Sequence, residues 1–163
     1  MEEALPFLGV DTAVAERGGT ELEPGGVPLI LEGMDDAEKA FCTPSSSAYS
    51  LGICINGRFG VVALWENQYA APGVLVPALS VQLTPTAGYF WFFDPYNMEI
   101  PFKMVNGCYS SPARHWVFAA GLTNFGVGIG VKDFYSGIQV NYYNRAGDLF
   151  NTIIDQQTPW PCP

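Results

Sequence analysis

A run of five aromatic residues at positions 89–93 constrains the fold of this 163-residue chain more than any other segment. In an extended strand, Tyr89, Trp91 and Phe93 point to one face, and the two phenylalanines between them point to the other. Both faces are then bulky and apolar. Such a strand is either covered on both sides or leaves rings exposed for a partner. The run therefore indicates either a structural module or a binding module.

Composition and turn spacing predict an all-β fold. The chain contains 18 glycines and 13 prolines, and 14% of its residues are aromatic. Such a composition is typical of a turn-rich β protein. Eight apolar or alternating segments follow residue 50 and are separated by Gly-, Pro- and Asn-rich turns. We expect an antiparallel β-sandwich, immunoglobulin-like in architecture, with about seven or eight strands.

Two of these segments carry residues that predict their surroundings. Gly126, Gly128 and Gly130 alternate with apolar residues, and we expect the aromatic strand, rather than an external ligand, to pack against them. Pro101 interrupts another segment and cannot donate a ladder hydrogen bond. We therefore expect that strand at a sheet edge or at a bulge.

The net charge of −9 is concentrated near the N terminus. Residues 1–40 carry ten acidic and two basic residues, whereas residues 41–163 carry six and five. We therefore predict an extended acidic arm, residues 1–40, and a folded domain, residues 41–163. An acidic arm and a nearly neutral body both exclude nucleic acid as a partner. No apolar run approaches the roughly 20 residues of a membrane-spanning helix.

Two apolar patches interrupt the acidic arm and are the predicted contacts with protein partners. Their members are Leu5, Phe7 and Leu8 in the first patch, and Val27, Leu29, Ile30 and Leu31 in the second. Either patch is suited to add to the edge of a sheet.

Four cysteines, Cys42, Cys54, Cys108 and Cys162, predict two disulfides. They lack the close pairing of zinc sites, and the chain has one histidine, so we expect no metal and no cofactor. Their even number indicates an oxidising compartment, with buried thiols in a cytosolic protein as the alternative. Of three possible pairings we favour Cys42–Cys54, closing a short loop, and Cys108–Cys162, holding the C-terminal tail. The acidic N terminus shows no secretory signal, which conflicts with export.

Residues suited to catalysis are few. His115 is interpreted as structural, because no nucleophile motif or metal-binding partner accompanies it. Asp94 and Glu99 flank the turn after the aromatic run, but turn capping explains Asp94 better than acid–base chemistry. Together with Asn97 they offer oxygen ligands for Ca²⁺, at a spacing too loose to predict a site. The sequence therefore predicts a protein that is not an enzyme.

Several motifs resemble the signature of a widespread, uncharacterised family of exported bacterial β domains. These are GYFWFFDP at 88–95, followed by Asn97, Glu99, Lys103 and Gly107-Cys108, then WVFAAGLT at 116–123, with CINGRF at 54–59. The resemblance covers about residues 50–163. Members are parts of secreted or cell-surface proteins without assigned catalytic residues. The resemblance implies export and a structural or adhesive role.

These observations lead to two main hypotheses about function. The first is an exported structural or accessory module, docked through its arm to other subunits or to copies of itself. It would be extracellular, periplasmic or attached to a cell surface or membrane complex. The alternative is a small-ligand or carbohydrate-binding module with Tyr89, Trp91 and Phe93 as an exposed platform. A hydrolase using Asp94 and Glu99 ranks third.

Overall fold

The computed structural model describes residues 42–163, which form ten strands and no helix. In chain order they are β1 (Gly52–Ile55), β2 (Phe59–Glu66), β3 (Leu75–Pro77), β4 (Leu79–Thr84), β5 (Ala87–Trp91), β6 (Ile100–Asn106), β7 (His115–Ala119), β8 (Gly126–Asp133), β9 (Gln139–Asn144) and β10 (Ile153–Asp155). This part of the chain therefore has no helix long and apolar enough to cross a membrane.

The strands form two antiparallel sheets that pack on one another. Sheet I has the order β1-β2-β8-β9, and β3 also pairs with β2; sheet II has the order β10-β7-β6-β5-β4. The predicted all-β sandwich is thereby confirmed. The proposed arm, residues 1–40, lies outside the described residues.

All eight predicted segments form strands, and the two additional strands are short. β3 and β10 contain three residues each. Three residues are too few to show an alternating pattern, so the sequence does not reveal them. Each forms by hydrogen bonding to a longer neighbouring strand. β3 pairs with the end of β2, and β10 pairs with β7.

The core lies between the sheets and follows the period-two alternation of the strands. In β6, Ile100, Phe102 and Met104 are buried, whereas Lys103 is exposed. In β2, every second residue from Phe59 to Trp65 enters the same cluster. Each large apolar side chain removed from water contributes about 1.5–3 kcal/mol, so this alternation selects the inner face of each sheet.

The glycines of β8 do not pack against the aromatic strand, so that prediction is wrong. The alternate residues of β8 enter the core, which directs Gly126, Gly128 and Gly130 to the outer side of sheet I. The aromatic strand, β5, belongs to sheet II across the core. Burial of the branched side chains outweighs any packing against glycine, because glycine has no side chain to bury.

Pro101 lies in an interior strand whose registers with both neighbours are continuous, so the prediction of an edge or a bulge is wrong. β6 is the middle strand of sheet II. The carbonyl of Pro101 accepts a hydrogen bond from the Ala120 N–H at 3.2 Å, and Ala120 lies just past the end of β7. A residue's N and C=O point to the same side of a strand, so the proline nitrogen faces the position where β7 pairing stops. A central strand tolerates proline at such a position.

Both predicted disulfides are confirmed. Cys42 is bonded to Cys54 in β1, and Cys108 is bonded to Cys162 near the C terminus. The first attaches the start of the described chain to an edge of sheet I, and the second holds the C-terminal tail against the loop after β6. Both are compatible with an oxidising extracellular or periplasmic location.

Candidate functional site

The aromatic run divides into buried and exposed rings. Phe90 belongs to the core, and Trp91 is 5% exposed and donates its indole N–H to the Ala48 carbonyl at 2.8 Å. Tyr89 is half-buried, with its hydroxyl bonded to the Pro95 carbonyl at 2.6 Å. Phe93 is 59% exposed. Of the three rings proposed as a platform, only Phe93 therefore presents most of its surface to solvent.

Strand β5 ends at Trp91, so the last two phenylalanines leave the regular alternation. Phe92 stacks on Trp65 with ring centroids 4.4 Å apart and planes 6° apart, and Phe93 meets the same indole edge-on at 5.0 Å. Phe125 joins them at 5.5 Å from Trp65, and Tyr69 lies 6.0 Å from Phe125. These five residues form an aromatic cluster at one end of the sandwich. The sequence does not reveal this cluster, because its members come from separate segments of the chain.

The outer face of sheet II is apolar and partly exposed. Its members, which alternate with core residues, are Leu79, Val81, Leu83, Ala87, Tyr89, Trp91, Pro101, Lys103, Val105, Trp116, Phe118 and Ile154. We call this set the sheet II face. Leu83 is 57% exposed and Ile154 is 63% exposed. Lys103 is its one charged residue, and its ammonium lies 5.4 Å from the centre of the Phe118 ring.

An antiparallel sheet with one solvated face normally shows polar residues there, so the sheet II face is unusual for a surface. Contiguous exposed apolar patches of this kind mark contacts with other proteins or with ligands. A shallow depression on it is lined by Leu83, Pro101, Lys103 and Phe118. The arrangement offers apolar contact area and a single positive charge. It offers no set of polar groups suited to chemistry on a substrate.

The outer side of sheet I behaves differently, since its residues are buried. Val62 and Leu64 of β2 are each 4% exposed, and Asn141 and Tyr143 of β9 are 0% and 1% exposed. Gly128 and Gly130 lie between these two strands in the register. We call these six residues the sheet I face. None of the ten described strands lies over it, because sheet II occupies the opposite side.

His115 lies beside a disulfide and not in a catalytic arrangement. It is buried, its ring centroid is 5.0 Å from that of Phe59, and its Nδ1 is 4.0 Å from Cys108 Sγ. Burial lowers the pKa of His115, and the positive charge of Arg58 lowers it further. His115, Cys108 and Cys162 place ligand atoms within 4.8 Å of one another. Both sulfurs are bonded to each other, however, so neither is available as a metal ligand or nucleophile.

The two candidate acids occupy different environments. Asp94 is exposed, and its carboxylate accepts the Tyr96 N–H at 2.8 Å, as expected for a turn cap. Glu99 is buried and accepts the Asn97 amide N–H at 2.8 Å. Burial raises the pKa of Glu99. Asn97 therefore satisfies the buried carboxylate of Glu99, and the contacts of all three residues serve the turn between β5 and β6.

Two buried aspartates, Asp133 and Asp155, anchor the C-terminal tail, and no sequence motif marks them. Asp133 pairs with Arg58, which also donates to the Pro161 carbonyl at 2.8 Å. Asp155 accepts the Tyr142 hydroxyl at 2.5 Å and the Thr158 hydroxyl at 2.6 Å. Burial favours a raised pKa for Asp155, but these hydrogen bonds outweigh it and hold the pKa below the ordinary value. Because the carboxylates of Asp133 and Asp155 each accept several hydrogen bonds, we interpret both residues as structural rather than catalytic.

The seven predicted arm contacts lie outside the described residues. They are Leu5, Phe7, Leu8, Val27, Leu29, Ile30 and Leu31. Their role in binding partners stays a prediction.

No protein-family model, no curated protein and no solved structure matches this chain. The resemblance to exported bacterial β domains therefore stays a prediction, and the interpretation of function depends on the surfaces of the molecule itself.

Proposed function

We propose that the chain is a non-enzymatic, exported structural module that serves as one subunit of a larger protein assembly. The observation that carries this proposal is the sheet II face, an apolar sheet surface with a single charged residue, Lys103. Contact of such an apolar face with water is unfavourable, and the free energy falls when a partner covers the face. The partner is another protein, because an apolar surface spread over five strands matches a protein interface better than a small-molecule cavity.

The chemistry of the sheet II face also describes its partner. Leu83 and Ile154 are exposed, while Val81 and Phe118 are half-buried. A partner with an apolar surface and one carboxylate opposite Lys103 complements it in shape and charge. The same description admits a different subunit or a second copy of this chain.

The N-terminal arm supplies a second proposed contact with the assembly. Its apolar residues Leu5, Phe7 and Leu8 stand in an otherwise acidic stretch. A segment of this kind docks by a few apolar anchors while its charges stay in water. Two disulfides support an oxidising compartment, and the family resemblance supports a bacterial cell surface or periplasm.

The assembly proposal is tested by charging the sheet II face. Leu83→Glu and Ile154→Glu each place a carboxylate on this face at an exposed position, where the fold tolerates it. Leu149→Glu is the matched control, because Leu149 is 80% exposed in the connection between β9 and β10 and lies off the face. The tagged full-length chain is isolated from its native source, and the size of its complex is measured by gel filtration with light scattering.

We expect Leu83→Glu and Ile154→Glu to release at least about 90% of the chain from the complex, since a buried unpaired charge costs several kcal/mol. Leu149→Glu is expected to assemble as the unmodified chain does. If both face variants remain in a complex of unchanged size, the sheet II face is not the docking surface and the proposal is wrong.

A ligand-binding module is the second candidate, and the aromatic cluster is the observation that favours it. Phe93 is 59% exposed and Tyr69 is 70% exposed, and both adjoin the rings around Trp65. Exposed rings of this kind stack against sugar or other planar rings. A titration with oligosaccharides, followed by tryptophan fluorescence, tests this candidate. A response that disappears in Phe93→Ala supports it, and an unchanged signal at millimolar ligand removes it.

A further inference from the structure

Three side chains suited to binding a soft divalent metal meet at one end of the sandwich. Cys108, His115 and Cys162 place their ligand atoms within 4.8 Å of one another. In the oxidised chain the two sulfurs are bonded to each other. Breaking that bond leaves two thiols beside one imidazole, and thiolate and imidazole are the ligands that Zn²⁺ takes in proteins.

The connection between β6 and β7 holds Cys108 and His115 side by side. Asn106 is the last residue of β6 and pairs with His115, the first residue of β7. The Asn106 side chain accepts the Cys108 N–H at 2.9 Å, and Cys108 Sγ lies 4.0 Å from His115 Nδ1. Backbone pairing and this turn therefore position both ligands without help from the disulfide.

Packing fixes the imidazole ring beside the sulfurs. His115 is 5% exposed, and its ring centroid lies 5.0 Å from that of Phe59. The ring also forms a hydrogen bond with the backbone of Trp160. Histidines that bind metals generally have a second partner of this kind, because it fixes the orientation of the ring.

The C-terminal tail brings the third ligand to this pair. Trp160 is fully buried, and its ring meets Phe59 edge-on with centroids 5.7 Å apart. The Pro161 carbonyl accepts a hydrogen bond of 2.8 Å from Arg58. These contacts directly precede Cys162 in the chain, so they keep its sulfur near the imidazole after the disulfide is reduced.

The spacing of the ligand atoms suits a tetrahedral zinc ion. Zn–S bonds of about 2.3 Å and Zn–N bonds of about 2.0–2.1 Å place tetrahedral ligand atoms about 3.5–3.8 Å apart. The distance of 4.0 Å between Cys108 Sγ and His115 Nδ1 is already close to this range. After reduction the two sulfurs have to move apart, and neither Cys108 nor Cys162 lies in a strand that would resist this movement.

We propose that reduction of the Cys108–Cys162 disulfide creates a zinc site in which Cys108, Cys162 and His115 are the protein ligands. A dithiol reductant supplies two electrons and two protons, so its own sulfurs form a disulfide while the S–S bond of the chain becomes two thiols. Zn²⁺ then displaces both thiol protons and binds two thiolates and the imidazole, with water as the fourth ligand. Reoxidation forms the S–S bond again and releases the ion.

The two disulfides of the chain differ in this respect. Cys108 and Cys162 are both half-buried, whereas Cys54 of the other pair is 4% exposed. Thiol–disulfide exchange requires access to a sulfur, so the Cys108–Cys162 bond is the more reducible of the two. The one histidine of the chain is His115, so the Cys42–Cys54 pair has no imidazole beside it. It therefore provides a built-in control.

The zinc site goes beyond the assembly role and involves none of the residues of the sheet II face. Both disulfides are intact in an oxidising compartment, and the zinc site belongs to conditions in which a dithiol reaches the chain. The two proposals fail independently, because one concerns a complex of the oxidised chain and the other concerns metal binding by the reduced chain.

Metal titration of the purified full-length chain tests the proposal. Cys42→Ser/Cys54→Ser leaves the proposed pair as the only cysteines, and Cys108→Ser/Cys162→Ser is the matched control that keeps only the other pair. In the first of these backgrounds, His115→Phe keeps a ring and His115→Gln keeps a polar side chain, and both remove the imidazole. Each chain is prepared oxidised and reduced, and the phosphine reductant is removed without oxygen. Thiolate ligation is measured by the absorption of added Co²⁺, and Zn²⁺ affinity by competition with a chromophoric chelator.

We expect the reduced Cys42→Ser/Cys54→Ser chain to bind one Co²⁺ with thiolate charge-transfer bands, and Zn²⁺ to displace it. The oxidised chain and the matched control should show no such bands. Both His115 variants should bind Zn²⁺ at least about tenfold more weakly, because loss of an outer-shell partner alone typically costs 10–100-fold. Equal binding by the oxidised chain, equal binding by the matched control, or unchanged affinity in both His115 variants would each overturn the proposal.

Circular dichroism of the same samples shows whether the ligands are held by the folded domain. If reduction weakens the strand signal, Zn²⁺ should restore it, because an ion that binds only the folded state stabilises that state. A reduced chain that stays unfolded with Zn²⁺ present would contradict a site built by the fold. Addition of a disulfide oxidant should release one Zn²⁺ for each Cys108–Cys162 bond formed, and retention of the ion after oxidation would also refute the proposal.

Discussion

Replacing Asp133 by asparagine should destabilise the domain strongly, because it removes the negative member of an ion pair and leaves the positive member, Arg58, in place. Asp133 is 0% exposed, and both of its oxygens accept bonds of 2.7 Å from the Arg58 guanidinium. It also accepts the Tyr135 N–H at 2.9 Å and the Ser136 hydroxyl at 2.6 Å. Asp133→Asn keeps the shape but removes the negative charge. The Arg58 guanidinium, whose side chain is 14% exposed, is then left without a counter-charge.

The expected cost follows from this geometry. Removing one partner of a buried, bidentate ion pair typically costs about 3–5 kcal/mol, because the remaining charge stays desolvated. The total stability of a domain is only about 5–15 kcal/mol. Arg58→Met removes the charge on the other side, so the double variant should recover part of the loss. We expect a coupling energy of about 2 kcal/mol between the two positions.

Urea unfolding at pH 7, followed by tryptophan fluorescence with both disulfides intact, measures these free energies. Asp94→Asn is the matched control: Asp94 is exposed, and an asparagine oxygen can still accept the Tyr96 N–H. We expect that control to change stability by less than about 0.5 kcal/mol. A loss below about 1 kcal/mol in Asp133→Asn, or simple additivity with Arg58→Met, would refute the reasoning.

Three further predictions concern the disulfide of the C-terminal tail, the stability of the domain in acid and the hydrogen bond of Tyr142. The disulfide between Cys108 and Cys162 links residues 54 positions apart. Removing it with the double variant Cys108→Ser/Cys162→Ser should lower the free energy of unfolding in urea by about 4 kcal/mol, according to the chain-entropy relation. A loss under about 1 kcal/mol would contradict this expectation. The pKa values of Asp133 and Asp155 lie below the ordinary 3.8, so their contribution is present above about pH 4 and is lost as the pH falls through the folded-state values; a thermal midpoint that stays constant from pH 5 to 2 would show otherwise. Tyr142→Phe removes a donor to the buried Asp155 carboxylate and should cost about 2 kcal/mol at pH 7, measured by the same unfolding, and a neutral result would mean that the remaining donors suffice.

The strands were largely predictable because their residues alternate. β6 shows it well: Ile100, Phe102 and Met104 could be assigned to one face from the sequence, and all three are core residues. The disulfide pairing was favoured among three alternatives because Cys42 and Cys54 close a short loop, and the structure confirms it. The edge assignment of Pro101 failed, because strand order is a property of the whole sheet and no local signal reports where a neighbouring strand ends.

The candidate surfaces were less predictable than the strands. The aromatic run draws attention in the sequence, yet Phe90 and Trp91 are buried, and the exposed Phe93 belongs to a cluster with Trp65 and Tyr69. The sheet II face was not foreseen at all. It is assembled from alternate residues of five strands, and no single strand shows which side chains of its neighbours lie beside its own.

The sequence by itself indicated the class of fold, favoured one disulfide pairing of three, and separated an acidic stretch, residues 1–40, from a nearly neutral remainder. These follow from local alternation, cysteine count and charge, which act within short stretches of chain. Only the tertiary structure decided that the β8 glycines face outward and that the sheet II face is apolar and partly exposed. A strand's pattern defines two faces, but the burial free energy of the whole sandwich decides which face meets the core and which is left for a partner.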